Sequence, residues 1–140
     1  MTGMYETFEH TADLGLRIRA LDLDSLFAEA GRGLFSLIVE HLDDVRPVEV
    51  VSLGVVGAEL DYLLFDWLNE LLYIFETRRL VLAEFDVTIA DGGLQATARG
   101  EPLDPARHRS EHEVKAITYH ELKVEQQPNG AWLAEMIVDI

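Results

Sequence analysis

The sequence contains no cysteine among its 140 residues, and this absence excludes several kinds of chemistry. A chain without cysteine has no disulfide, no thiol nucleophile and no thiolate-bound metal. It is compatible with a reducing compartment, so we expect a cytoplasmic protein. The first thirteen residues lack the basic start and apolar run of a secretory signal, and no stretch of 18 residues is free of charge. We therefore expect neither export nor a membrane span.

Positive charge is scarce. The chain has 11 Lys and Arg residues against 26 Asp and Glu residues, a formal net charge of −15 and a pI near 4.5. A surface this acidic repels phosphate backbones, so we expect no direct, tight binding to nucleic acid. We expect this acidic surface to bind basic protein surfaces or cations instead. One function class compatible with this charge is a general binding module that uses the acidic surface alone.

Phosphate-binding and nucleophile motifs are also missing. Neither a G-x-G-x-x-G loop nor a Walker loop occurs, and Gly92-Gly93 is typical of a hairpin turn. No serine lies in a G-x-S-x-G elbow. We therefore expect that the protein is not an enzyme.

Hydrophobic residues make up 49% of the chain, enough for the core of one domain spanning residues 1–140. Apolar residues recur at spacings of three and four from Leu26 to His41, after a cap at Asp22 or Asp24, and from Glu59 to Arg79. Strand patterns occupy residues 5–19 in two runs, 48–56, 85–89, 94–98, 116–125 and 132–138. The predicted class is α+β, with the order ββαβα followed by four strands, in a mostly antiparallel sheet packed with two helices.

Two details of this pattern are specific enough to test. The apolar phase changes between Tyr119 and Leu122, which predicts a β-bulge near His120-Glu121. The helix-spaced aromatic residues of the second helix are predicted to lie in the core. They are Tyr62, Trp67, Tyr73 and Phe75.

Carboxylates stand at two places where a sheet could end. Asp13 lies between two strands, where it either stabilises a turn or presents a ligand to a hard cation. The last strand ends with Asp139 and Ile140, so a side-chain carboxylate and a terminal carboxylate lie together, unless this end is simply solvated. If the last strand ended beside Asp13, three carboxylates would converge in a set that suits Ca²⁺ or Mg²⁺.

A polar stretch before the last two strands allows two further hypotheses. His108, Glu111 and His112 spell H-x-x-E-H, the pattern of inverted zinc proteases, but they follow two prolines and no helical pattern supports them. A solvated loop is the other interpretation, and a zinc-dependent hydrolase is the alternative function. Lys115 either pairs with a nearby glutamate or contacts a partner.

Several short motifs in a characteristic order are spread over essentially the whole chain. They are Glu9-His10-Thr11-Ala12-Asp13, Trp67-Leu68-Asn69-Glu70-Leu71-Leu72, Gly100-Glu101, Val114-Lys115-Ala116-Ile117-Thr118-Tyr119-His120 and Val138-Asp139-Ile140. Taken together, these motifs make the chain resemble the archease family.

The resemblance implies an accessory protein of the RtcB-type RNA ligase, which joins tRNA halves after intron removal and seals related RNA breaks. Members of the family help that ligase to form its guanylylated intermediate and to turn over repeatedly, without catalysing ligation themselves. By motif, the family's divalent-cation site corresponds to Asp13, Asp139 and the terminal carboxylate of Ile140. The ion is usually assigned as Ca²⁺, with Mg²⁺ and Mn²⁺ as alternatives. The lysine implicated in helping the ligase corresponds to Lys115.

Overall fold

The computed structural model describes residues 3–10 and 13–140, without the side chains of Glu9 and His10. The connection between the first two strands therefore falls outside the described residues, since it consists of Thr11 and Ala12. Asp13, Lys115, Asp139 and Ile140 all lie within them.

Seven strands and two helices follow one another in the predicted order ββαβα and then four strands. They are β1 (Gly3–His10), β2 (Asp13–Ala20), α1 (Leu23–Ile38), β3 (Glu49–Val56), α2 (Leu60–Arg78), β4 (Leu80–Ala90), β5 (Gly93–Pro102), β6 (Ala116–Gln126) and β7 (Trp132–Asp139), with a short 3₁₀ helix at Leu42–Asp44. The predicted α+β class is confirmed. None of the described helices combines the length and hydropathy needed to cross a bilayer.

The strands form two sheets, and every strand pair is antiparallel. The first sheet has the order β1-β2-β7-β6 and the second has the order β3-β5-β4. The predicted antiparallel arrangement is confirmed, and its division into two sheets was not predicted, because periodicity along the chain identifies strands without identifying their partners. Each helix contacts strands of both sheets: α1 packs against β2 and β4, and α2 packs against β6 and β3. The core therefore lies around the two helices.

Local chemistry explains where the helices begin and how they meet. Asp22 caps α1, its side chain accepting a hydrogen bond from the Ser25 amide at 2.8 Å. The two helices meet where the Trp67 indole N–H of α2 donates to the Phe27 carbonyl of α1 at 2.9 Å. Both residues are fully buried, so this hydrogen bond satisfies the polar atom of the largest side chain in the core.

The aromatic residues of α2 divide between core and surface, which corrects the prediction. Of the four, Trp67 is in the core, whereas Phe75 is half-buried and Tyr62 and Tyr73 are 52% and 61% exposed. Six other positions at spacings of three and four already fill the buried face. They are Leu63, Leu64, Leu68, Leu71, Leu72 and Ile74. The two tyrosines flank that face and reach solvent.

The predicted bulge in β6 is confirmed. The register with β7 shifts between Thr118 and Lys123, and Glu121 has a φ of 57°. The bulge lies beside Tyr119, whose ring stacks on Phe65 of α2 with centroids 3.8 Å apart. This contact joins the first sheet to α2.

Candidate functional site

The end of the first sheet brings together three segments that are distant in the sequence. Asp13, the first residue of β2, is directly opposite Asp139, the last residue of β7, and Asp139 is directly opposite Ala116 of β6. Directly opposite residues of antiparallel strands have Cα atoms about 4.5–5.5 Å apart and side chains on the same face. The structure therefore places the two aspartates side by side on one face of the sheet.

That face is the one turned away from the helices. Leu14 and Val138, the neighbours of the two aspartates, pack into the core, and side chains alternate between the faces of a strand. Asp13 and Asp139 are half-exposed accordingly. Ile140 is half-buried and packs against the core, which holds the backbone beyond Asp139 in place.

Lys115 adjoins the same end of the sheet. Its backbone N–H donates to the Asp139 carbonyl at 2.8 Å, directly before the Ala116–Asp139 pair at which β6 begins. Its side chain is exposed and forms no ion pair with any of the described residues. Pairing with a nearby glutamate, one of the two interpretations from sequence, is therefore not seen, and the ammonium group is available to a partner.

The carboxylates further along the same face are balanced by cations. Arg17 pairs with Glu135 and with Glu6, and the Lys123 ammonium lies 3.4 Å from the Glu135 carboxylate. Among the described residues no cation pairs with Asp13 or Asp139. Two adjacent carboxylates repel each other unless a cation lies between them. Among the side chains that the structure describes, the end of the sheet thus has no internal counter-charge for its two aspartates.

A buried carboxylate anchors the long segment that leads to Lys115. Glu101, at the end of β5, is 6% exposed and accepts hydrogen bonds from the Arg46 amide at 2.8 Å, from Arg107 at 2.5 Å and from His108 at 3.0 Å. Burial alone would raise the pKa of Glu101, but these three hydrogen bonds outweigh it and hold the pKa at about 2. In the sequence, Glu101 stands out only as part of the Gly100-Glu101 motif, and nothing in the pattern predicts this role.

Backbone hydrogen bonds fix the same segment against the end of α1. The Glu111 and His112 amides donate to the carbonyls of Ile38 and Leu37, both at 2.9 Å. These carbonyls belong to the last turn of the helix, whose acceptors have no partner within the helix. Residues 103–115 are therefore held along their length, which gives Lys115 a defined starting point.

The zinc-hydrolase hypothesis fails on the geometry of His108. Residues 108–112 are not helical, so His108 and His112 do not share a helix face. The His108 Nδ1 accepts from the Asp104 amide at 2.8 Å and its Nε2 contacts Glu101, so both ring nitrogens are engaged. The expectation of a solvated loop is also wrong for His108, which is 6% exposed because it closes the Glu101 network.

A cavity of about 600 Å³ separates this segment from the ends of both helices. Its apolar part includes Phe75 and Leu103, and Arg79 lies over the Phe75 ring at 4.8 Å. Lys115 contributes to its rim. The cavity thus opens beside the candidate site.

The donor chemistry at the sheet end fits a hard divalent cation. Asp13 and Asp139 offer carboxylate oxygens, as would the predicted terminal carboxylate of Ile140, and Ca²⁺ and Mg²⁺ prefer this ligand type. No cluster of three or more His, Cys, Asp or Glu side chains suited to a metal occurs in the part of the chain that the structure describes. The expected set has only two such side chains and takes its third donor from the chain terminus. Its metal role stays a prediction.

Comparison with known proteins identifies the family. The model of the Archease protein family (MTH1598/TM1083) matches residues 5–140. The chain belongs to the archease family. The archease of Pyrococcus abyssi is 41% identical over 140 residues, covering 97% of this chain and 98% of its own. The archease of Methanopyrus kandleri is also 41% identical, covering 97% and 99%.

Two solved structures of similar length show the same fold. The solution structure of Methanobacterium thermoautotrophicum protein 1598 has a TM-score of 0.85 and 31% identity, covering 97% of this chain and 98% of that one. A Thermotoga maritima crystal structure, described as an archease and possible chaperone, has a TM-score of 0.64 and 24% identity, with 96% of each chain covered. The second likeness shows a shared fold.

Two motifs that carried the family resemblance are explained by packing. A Cβ atom on Gly100 would lie 1.8 Å from the Val81 carbonyl oxygen, so no side chain fits where β4 and β5 meet. Trp67 joins the helices and Glu101 anchors the segment before Lys115. These residues support the site from within the fold, whereas Asp13, Asp139 and Lys115 reach solvent at its surface.

Proposed function

We propose that this archease-family protein is a non-catalytic accessory protein of an RtcB-type RNA ligase in tRNA splicing and RNA repair. In this proposal it acts in the cytoplasm, promotes guanylylation of the ligase and allows the ligase to turn over repeatedly. Membership of the archease family is the observation that carries the proposal. The net charge of −15 supports contact with a protein more than direct contact with RNA.

The proposed contact site is the end of the first sheet. Asp13, Asp139 and the Ile140 carboxylate would hold a divalent cation, Ca²⁺ in the first instance and Mg²⁺ or Mn²⁺ as alternatives. The opposed register of the two aspartates and the absence of a described counter-charge support this role. When bound, the cation supplies positive charge at this acidic edge. The core contacts of Ile140 and Val138 keep the carboxylates in position.

Lys115 would contact a phosphate or an acidic side chain of the ligase. Its exposed ammonium group and the hydrogen bond between its backbone and Asp139 support this assignment. A divalent cation and the Lys115 ammonium together offset the negative charge of the three carboxylates, so the end of the sheet no longer repels an anionic partner. A neutralised edge of this kind is compatible with contact to the negatively charged groups of a nucleotide-binding site.

The direct test is RNA ligation with the cognate ligase limiting and substrate in excess. Adding this protein is expected to convert a reaction that stops near one product per ligase into repeated turnover. No increase in turnover would refute the accessory function. A parallel salt titration against the ligase and an unrelated basic protein tests the alternative of a general acidic binding module, which would bind both proteins with the same salt sensitivity.

The metal site is tested separately by titrating Ca²⁺ into the protein alone. Asp139→Asn and a short Gly-Ser extension after Ile140 are each expected to weaken Ca²⁺ binding at least tenfold and to reduce turnover. Asp91→Asn is the matched control, because Asp91 is an exposed aspartate in the β4–β5 turn of the other sheet. Unchanged Ca²⁺ binding in both site variants would show that the terminal carboxylates do not form the site.

The two lysines of the chain provide a matched pair for the ligase contact. Lys115→Ala is expected to reduce turnover, whereas its affinity for Ca²⁺ is expected to change by less than tenfold. Lys123→Ala removes the same charge from an exposed position paired with Glu125 and Glu135, and it is expected to leave turnover unchanged. Equal turnover in the two variants would remove Lys115 from the proposal.

A further inference from the structure

The four edge strands of the two sheets differ in how they are protected. β1 carries Glu6, which pairs with two arginines of β2, while β4 and β6 each contain charged residues and a break in register. Charges and bulges are the usual devices that prevent an edge strand from pairing with another chain. β3 has no break in its register with β5, and after Glu49 it contains no charged residue or proline.

The pairing with β5 determines whether the backbone N–H and C=O of each β3 residue point toward β5 or away from it. The Gly57 amide donates to the carbonyl of Gly92, and these two residues continue the register one step beyond its last pair, Val56–Gly93. In antiparallel pairs such bonded positions recur at every second residue. The odd-numbered residues of β3 therefore bond to β5. The backbone groups of Val50, Ser52, Gly54 and Val56 point away from β5, where the described part of the chain supplies no further strand.

Two valines at this open edge are exposed. Val50 is 59% exposed and Val56 is 90% exposed. Val51, Leu53 and Val55 alternate with them on the opposite face, and all three pack with the core. An edge of this kind, with free backbone groups and uncovered valines, favours the addition of another strand.

We propose that β3 pairs with β3 of a second copy of this chain, joining two three-stranded sheets into one of six strands. The pairing is antiparallel about a two-fold axis at Leu53, which places Val50 opposite Val56 and Ser52 opposite Gly54 of the second copy. This inference is independent of the ligase function.

The self-complementarity of this register carries the proposal. In this register, four residue pairs join the two copies, and each pair can form two backbone hydrogen bonds. All of these bonds use N–H and C=O groups that do not bond to β5. Both exposed valines gain an apolar partner, and Glu49 lies opposite Gly57 instead of another acid. Moving the axis to Ser52 would use the Val48 amide, which already donates to Gly100, and would leave Val50 opposite a glycine.

The test is amide exchange measured together with sedimentation, at about 0.5 M NaCl to screen the charge of −15 on each copy. Between about 20 μM and about 1 mM chain, a range that covers weak association, exchange is expected to slow at least tenfold at Val50, Ser52, Gly54 and Val56. The Val51, Leu53 and Val55 amides already bond to β5 and are expected to change little. A dimer is expected in sedimentation over the same range.

Val56→Lys is expected to raise the dimer dissociation constant at least tenfold. Val48→Lys is the matched control, because Val48 is 66% exposed but lies outside the paired span, and it is expected to retain the dimer. Both variants reduce the net negative charge equally, so a difference between them is not a charge effect. A monomer at about 1 mM with unchanged exchange would overturn the proposal, as would a dimer that Val56→Lys does not weaken.

Discussion

Replacing Glu101 by glutamine is expected to lower the free energy of unfolding at pH 7 by about 3 kcal/mol, because it removes one partner of a buried charged network. The glutamine retains the shape of the side chain, but it replaces one carboxylate oxygen with an NH₂ group. That group cannot accept hydrogen bonds from Arg107, His108 or the Arg46 amide. At least one donor then lies unpaired in a site that is 6% exposed.

The pKa of the Glu101 carboxyl gives a second way to calculate how much free energy its charged form contributes to the fold. Its pKa is about 2 in the folded protein, against an ordinary value of 4.5. One pKa unit corresponds to about 1.4 kcal/mol, so the charged form of Glu101 stabilises the fold by about 3 kcal/mol. Because the folded-state pKa is the lower one, this stabilisation is complete above the unfolded-state value. It is lost as the pH falls from about 4.5 to about 2.

Urea unfolding followed by circular dichroism, repeated from pH 7 down to about pH 2, measures both effects. The wild type is expected to lose stability steeply over the acid range, whereas Glu101→Gln starts lower and loses about 3 kcal/mol less over that range. Glu84→Gln is the control, because Glu84 is an exposed residue of β4. A Glu101→Gln variant within about 0.5 kcal/mol of the wild type at pH 7, with the same acid slope, would refute the reasoning.

Two further substitutions test the packing and capping arguments. Gly100→Ala is expected to destabilise the fold by more than about 3 kcal/mol or to prevent folding, since the added Cβ would overlap the Val81 carbonyl; a stable variant by thermal unfolding would contradict this. Asp22→Ala is expected to cost about 1 kcal/mol through loss of the hydrogen bond to the Ser25 amide. Asp22→Asn, which retains an acceptor, is expected to be nearly neutral in the same urea titration, and equal losses in the two variants would argue against capping.

The order of the elements was predictable because each carries its own periodicity. The α2 pattern starts and ends within one residue of the observed Leu60–Arg78, and the phase change in β6 located the bulge. The division of the strands into two sheets was not predictable, since partner choice depends on contacts between segments far apart in the chain. The exposure of Tyr62 and Tyr73 was missed because helical spacing marks a face without fixing its width.

The candidate site was also predictable from the sequence only in part. Asp13 and Asp139 could be named from the sequence because each ends a strand, but their direct opposition depends on β2 pairing with β7 across more than one hundred residues. Nothing in the sequence indicates that Glu101 and His108 are buried, because an acid and a histidine in a polar stretch look solvated. Their burial arises only when residues 103–115 fold back on β5 and α1. The sequence pattern therefore identified the exposed residues of the site more readily than the buried ones that support them.

The placement of Lys115 relative to Asp139 depends on both kinds of residue. The hydrogen bond between the Lys115 amide and the Asp139 carbonyl sets the local distance, but a single exposed bond contributes only about 1 kcal/mol. The Glu101 network and the bonds from residues 111 and 112 to the end of α1 remove the freedom of the preceding segment. In the proposed function, the Lys115 ammonium contacts a partner beside two carboxylates, and this restriction would favour binding because less conformational entropy is lost when the partner binds.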